Sequence, residues 1–255
     1  MYLAALSVEL RRGFARKIRY PLEFASETLA VYLFLMAVTL ATKDPEAAAS
    51  RLTCLLAAFF CLGPLQGPSR LVTDDVCPGA VEQLCVSPVG LPGLALIRDI
   101  AGVVEFMPTA AILSLAVRVT AGVRIFIPTV PGLIALVAMR GGMLGLGLSL
   151  GALALLFRRV GGLVNLVSMG VFALGFGVGA SGPGWLVRAG AFFPYTRCLP
   201  TIMAAGTGGA EATGLATVGS LAGCAVLTSV YLGAGLVLFY WAERVARDHG
   251  LVGKD

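Results

Sequence analysis

Residues 128–157 read PTVPGLIALVAMRGGMLGLGLSLGALALLF, a run of thirty in which Arg140 is the single charge. A helix rises about 1.5 Å per residue and the hydrocarbon core of a bilayer is about 30 Å thick, so roughly 20 such residues cross it. The run stops at Arg158-Arg159, a pair suited to the water boundary. Reading this segment as a membrane span decides the class of the whole chain. Of 255 residues, 58% are hydrophobic and only 13% charged, against about 25% charged in soluble domains. So few polar side chains could not cover a soluble globule of this size. An ordinary cytosolic enzyme, a disordered chain and a soluble nucleic-acid binder are excluded.

Working outward, comparable apolar runs lie at about 22–41, 52–72, 91–117, 160–180 and 214–241. The expectation is an all-α membrane protein with six transmembrane helices in one transmembrane domain, 22–255. The polar segments between them are Lys43 to Arg51, Thr73 to Gly90, Arg118 to Ile127 and a Gly/Pro-rich broken stretch from Ser181 to Thr213.

Residues 1–21 are too polar to span. At 100° per residue Leu3, Leu6, Leu10, Phe14 and Ile18 form one stripe, with Glu9, Arg12, Arg16 and Arg19 opposite. Arg11 and Lys17 sit at its margins, where their stems can snorkel. Such a helix lies in the membrane interface, and Pro21 ends it. A cleavable signal peptide with Thr39-Leu40-Ala41 as its site is disfavoured, because the charged region is too long.

With a cytoplasmic N-terminus, Arg11, Arg12, Arg16, Lys17, Arg19, Arg70, Arg98, Arg158, Arg159, Arg244, Arg247 and Lys254 fall inside. Lys43, Arg51, Arg118, Arg124, Arg188 and Arg197 fall outside, a twelve-to-six bias that places both termini in the cytoplasm. The net charge of +5 is therefore a topology signal.

Site chemistry is sparse. His249 is the only histidine, which excludes multi-histidine metal sites. The six cysteines have neither zinc nor disulfide spacing and read as small apolar residues. No phosphate-binding GxxxxGK[ST] loop occurs, so no catalytic, cofactor or metal residues are expected in this chain. Small-xxx-small pairs recur at Gly141/Gly145, Gly147/Gly151, Gly175/Gly179 and Gly219/Gly223. They suit either plain close packing or a helix interface that opens and closes.

The segment after the second run is Thr73-Asp74-Asp75-Val76-Cys77-Pro78-Gly79-Ala80-Val81-Glu82-Gln83-Leu84-Cys85-Val86-Ser87-Pro88. Pro78 and Gly79 can open a short helix with Val81, Leu84 and Cys85 on one face, a shape suited to a groove on a soluble partner. Here the sequence resembles the permease subunits of ABC-2 type exporters. Their first cytoplasmic loop carries acidic residues, a Gly-Thr-Leu-Glu-x-Leu core and then a proline. Asp74, Asp75, Gly79, Val81, Glu82, Leu84 and Pro88 match it, while Ala80 replaces the threonine and Cys77-Pro78 the usual charged pair. Glu9-Leu10-Arg11-Arg12 with Arg19-Tyr20-Pro21 resembles the family's interfacial elbow helix. Phe193-Pro194-Tyr195-Thr196 resembles its extracellular turn, and Glu243 to Arg247 its tail.

The resemblance implies a half-channel that dimerises, as homodimer or heterodimer, and couples to a separate ATP-binding subunit holding ATP and Mg. Gly79, Val81, Glu82, Gln83 and Leu84 would be the partner-coupling helix, and Ser181 to Thr213 a re-entrant segment. Export of a hydrophobic or amphipathic small molecule, an antibiotic, a drug or a lipid across a cell membrane follows from the same likeness. No nucleic-acid partner is expected. The rival is a stand-alone ion-coupled secondary transporter, against which no internal repeat is visible and Glu105 is the one deep carboxylate expected.

Glu105 and Arg140 lie equally far from the turn between the third and fourth runs. In an antiparallel pair that means similar depth, so an intramembrane ion pair is one expectation. The other is that Pro108, Pro128 or Pro131 distort the helices and each charge meets water or headgroups separately. Arg140 also suits attraction of an anionic substrate.

Overall fold

The computed structural model describes residues 2–42, 44–73, 90–123, 129–157, 160–178, 190, 192–206 and 215–248. Among these all regular structure is helical: α1 (Tyr2–Arg19), α2 (Pro21–Ala41), α3 (Pro45–Thr73), α4 (Gly90–Ala121), α5 (Val130–Phe157), α6 (Gly161–Val178), α7 (Pro194–Gly206) and α8 (Leu215–Asp248). Five of them, α2 to α5 and α8 over Gly219–Ala246, are long and apolar enough to cross a membrane. The fifth of the six expected runs coincides with α6, an apolar helix of 18 residues.

Helix ends follow local chemistry. Tyr20 is the only non-helical residue between α1 and α2, and Pro21, which needs no N–H partner, opens α2. Asp44 Oδ1 accepts the Glu46 N–H at 3.2 Å and Pro45 starts α3. α3 thus begins well before the expected 52, and Ala48 and Ala49 are already buried. α4 runs past the expected 117 through Arg118 until Gly122, whose φ of 68° breaks the helix and whose N–H caps Arg118 O at 3.1 Å. α8 likewise continues beyond 241 to Asp248. Phe193 closes a turn, but Pro194-Tyr195-Thr196 is the first turn of α7 rather than part of a loop.

Apolar runs of this kind do not say which helices are central. Packing does: 61% of the most apolar stretch of α3 and 56% of that of α5 is buried, against 11–17% for α2, α4 and α8. α5 packs on α8, α3 and α7, and α3 also carries α6. Their shared core contains Cys61, Leu65, Met139, Met143, Tyr195 and Cys198. α4 leans across the bundle. Its first turns, with Leu91 and Ala95, join Leu148 of α5 and Phe239 of α8. Its last turns, with Leu113 and Val117, join Leu35 of α2 and Leu52 of α3.

Two of the glycine pairs, Gly141/Gly145 and Gly147/Gly151, lie where helix backbones approach closely. A Cβ at Gly145 would strike the α8 backbone at Tyr231, and one at Gly235 would strike the Gly145 carbonyl. Gly147 gives the same close approach to Pro64 of α3, and Gly151 faces Phe239 and Pro68. Gly219, by contrast, faces open space. The outer surface is apolar, with Leu22 85%, Leu40 79% and Val119 75% exposed. Surfaces of that kind suit lipid, and the chain is a multi-pass membrane protein.

Candidate functional site

Arg140, near the middle of α5, is a buried charge, 6% exposed. Its Nη2 lies 2.7 Å from Asp99 Oδ1 of α4 and donates to the Asp99 carbonyl at 3.1 Å. Its Nη1 donates to Phe60 O of α3 at 2.6 Å. Pro64 explains that acceptor: proline has no N–H, so the carbonyl four residues earlier, Phe60, is released from the helix ladder. The guanidinium also lies over the Phe60 ring, 4.4 Å from its centroid, and Phe60 in turn packs on Phe106 of α4 at 5.4 Å. Gly63 and Gly102 leave the space it occupies; a Cβ at Gly102 would come within 3.3 Å of Nη2. One side chain thus joins three helices through charge-assisted bonds.

This arrangement corrects the expected Glu105–Arg140 pair. The expectation assumed that α4 and α5, consecutive in sequence, lie side by side. Instead α3 stands between them, and Arg140 reaches past Phe60 to Asp99. Asp99, with its side chain 12% exposed, is a deeper carboxylate than the one the sequence suggested. Glu105 turns the other way: its carboxylate sits against Gly13 of α1, and Lys17 Nζ donates to its backbone carbonyl at 2.6 Å.

A second polar region lies between α1 and α4, a groove of about 670 Å³ lined by Glu9, Arg12, Arg16, Arg19, Arg98 and Glu105. Arg98 pairs with Glu9 at 3.5 Å and Arg16 with Glu23 of α2 at 3.2 Å. The three arginines expected on the polar face of an interfacial helix are therefore brought to one groove. No residue of α1 is fully buried, and Leu3 and Ile18 of its apolar stripe are 82% and 80% exposed.

The predicted partner-coupling residues Gly79, Val81, Glu82, Gln83 and Leu84 lie outside the described residues. Asp99 and Phe60 escaped sequence reasoning. Pro64 within an apolar run was the available signal, since it announces a free carbonyl one turn earlier. No group of three or more His, Cys, Asp or Glu able to hold a metal occurs among the described residues. Compared with known proteins, the chain matches no family model and no curated sequence.

Proposed function

We propose that the chain is the transmembrane permease subunit of an ATP-driven ABC-2 type exporter, working as a dimer with a separate ATP-binding subunit. The observation that carries this reading is α1, an arginine-rich helix with uncovered apolar residues, joined through Tyr20 to an apolar helix of spanning length. That is the form of an elbow helix lying on the membrane before the first span. In this reading α2, α3, α4, α5, α6 and α8 are the six spans; α6, about 27 Å long, matches the hydrocarbon core. α7 is the re-entrant element before the last span, its backbone sheltered against α5 and α8. Gly79, Val81, Glu82, Gln83 and Leu84 are the partner-coupling residues on the cytoplasmic side, both termini are cytoplasmic, and the substrate is a hydrophobic or amphipathic small molecule. The Arg140–Asp99 pair ties α4 to α3 and α5, so any pathway opening beside α4 must break it or move all three together.

Affinity capture of the tagged full-length chain from its own cells tests this. An ATP-binding subunit should come with it, and Glu82→Arg or Leu84→Asp should weaken that capture about tenfold or more, as contact hot spots do. Capture unchanged in both variants contradicts the docking role of residues 79–84.

One observation favours the rival, a stand-alone ion-coupled carrier. Asp99 is a carboxylate held inside a bundle of apolar helices, the type of group that relays protons or cations. That reading requires gradient-driven transport by the purified chain alone, lost in Asp99→Asn. The permease reading requires none.

A further inference from the structure

We propose that the groove between α1 and α4 binds the phosphate of an anionic phospholipid. Four arginines, Arg12, Arg16, Arg19 and Arg98, line it with only two carboxylates, Glu9 and Glu105. Glu9 is paired with Arg98, and Glu105 packs its carboxylate against Gly13 while Lys17 donates to its backbone carbonyl. Arg16 is held by Glu23. Arg12 and Arg19 have no ion pair among the described residues, and both are exposed. Guanidinium groups hold phosphate oxygens bidentately, so two unneutralised arginines over one groove complement a phosphate and not a neutral or cationic group.

The surroundings select a lipid as the source of that phosphate. The groove is bounded by α1, whose Leu3 and Ile18 are 82% and 80% exposed, and by α4, whose far side carries the uncovered Ile100, Val104 and Met107, so both walls are helices with bare apolar surface that suits lipid. A headgroup in the groove has its acyl chains in the bilayer around these helices, an anchorage that a free phosphate lacks. The groove, about 670 Å³, is of ligand-pocket size. The inference rests on the groove and the membrane alone and stands apart from the permease reading.

The test is native mass spectrometry of the full-length chain in detergent, titrated with phosphatidylglycerol and phosphatidylcholine of matched acyl chains. The wild type should retain phosphatidylglycerol preferentially. The double variant Arg12→Gln/Arg19→Gln should lower that preference about 30-fold, since each arginine near an anionic surface contributes about fivefold. Arg12→Lys/Arg19→Lys, which keeps the charge, should retain most of it. Millimolar inorganic phosphate should leave the bound lipid in place. Equal retention of the two lipids, or a preference that survives the double glutamine variant, overturns the proposal. Displacement by inorganic phosphate overturns the lipid assignment and makes the groove a site for soluble phosphate.

Discussion

Arg140→Met lowers the stability of the folded protein by about 3–5 kcal/mol, because it leaves Asp99 buried without its counter-charge. The Phe60 carbonyl released by Pro64 loses its donor in the same step. Asp99→Leu alone has a cost of similar size, now because the guanidinium is stranded. The double variant Arg140→Met/Asp99→Leu should recover most of the loss, since a buried pair exchanged for apolar groups of similar volume is often neutral. Thermal unfolding of the four proteins in one detergent forms the cycle that checks it. Strict additivity of the two single effects would mean that the ion pair does not couple the helices. Glu105→Gln is the contrast: its partly exposed carboxylate faces α1, and the change should cost less than about 1 kcal/mol.

Gly145→Leu destabilises the fold by at least about 3 kcal/mol, because overpacking where two backbones touch leaves no flexible atom to give way. Its Cβ would meet the peptide between Tyr231 and Leu232, so α5 and α8 must separate along the most extensive helix contact among the described residues. The separation also strains Thr228 Oγ1, which donates to Ala138 O at 2.6 Å. Gly219→Leu, at a position chosen by the same small-xxx-small spacing, should be close to neutral because nothing among the described residues lies within 4 Å of it. The fraction of monodisperse protein after heating separates the two. Equal losses would show that glycine spacing, and not the observed contact, governs the effect.

The contrast between those glycines shows what the residues alone could say. Spacing marks Gly145 and Gly219 alike, and only the packing of α5 on α8 distinguishes them. The apolar runs were legible because bilayer thickness imposes a minimum length on each. Their ends were less so. Glu46, Arg51 and Arg118 read as loop residues, yet each continues a helix, since a charge at the end of an apolar helix is satisfied by water or headgroups. The polar face of α1 was legible from its period, and the groove it forms with Arg98 was not, because Arg98 belongs to a helix far along the chain. Arg140 was visibly anomalous as a lone charge. Its partner depends on α3 lying between α4 and α5, and runs apolar on all faces carry no amphipathic period to reveal a neighbour.

We have proposed that this chain forms a pathway that a partner drives with ATP. The most direct test is ATP hydrolysis in lipid nanodiscs, comparing the purified chain with the complex captured through it. The expected result is no hydrolysis by the chain alone and vanadate-sensitive hydrolysis by the complex, with Glu82→Arg separating hydrolysis from transport. Capture of the chain without any ATP-binding subunit, together with gradient-driven transport by the chain alone, would contradict it.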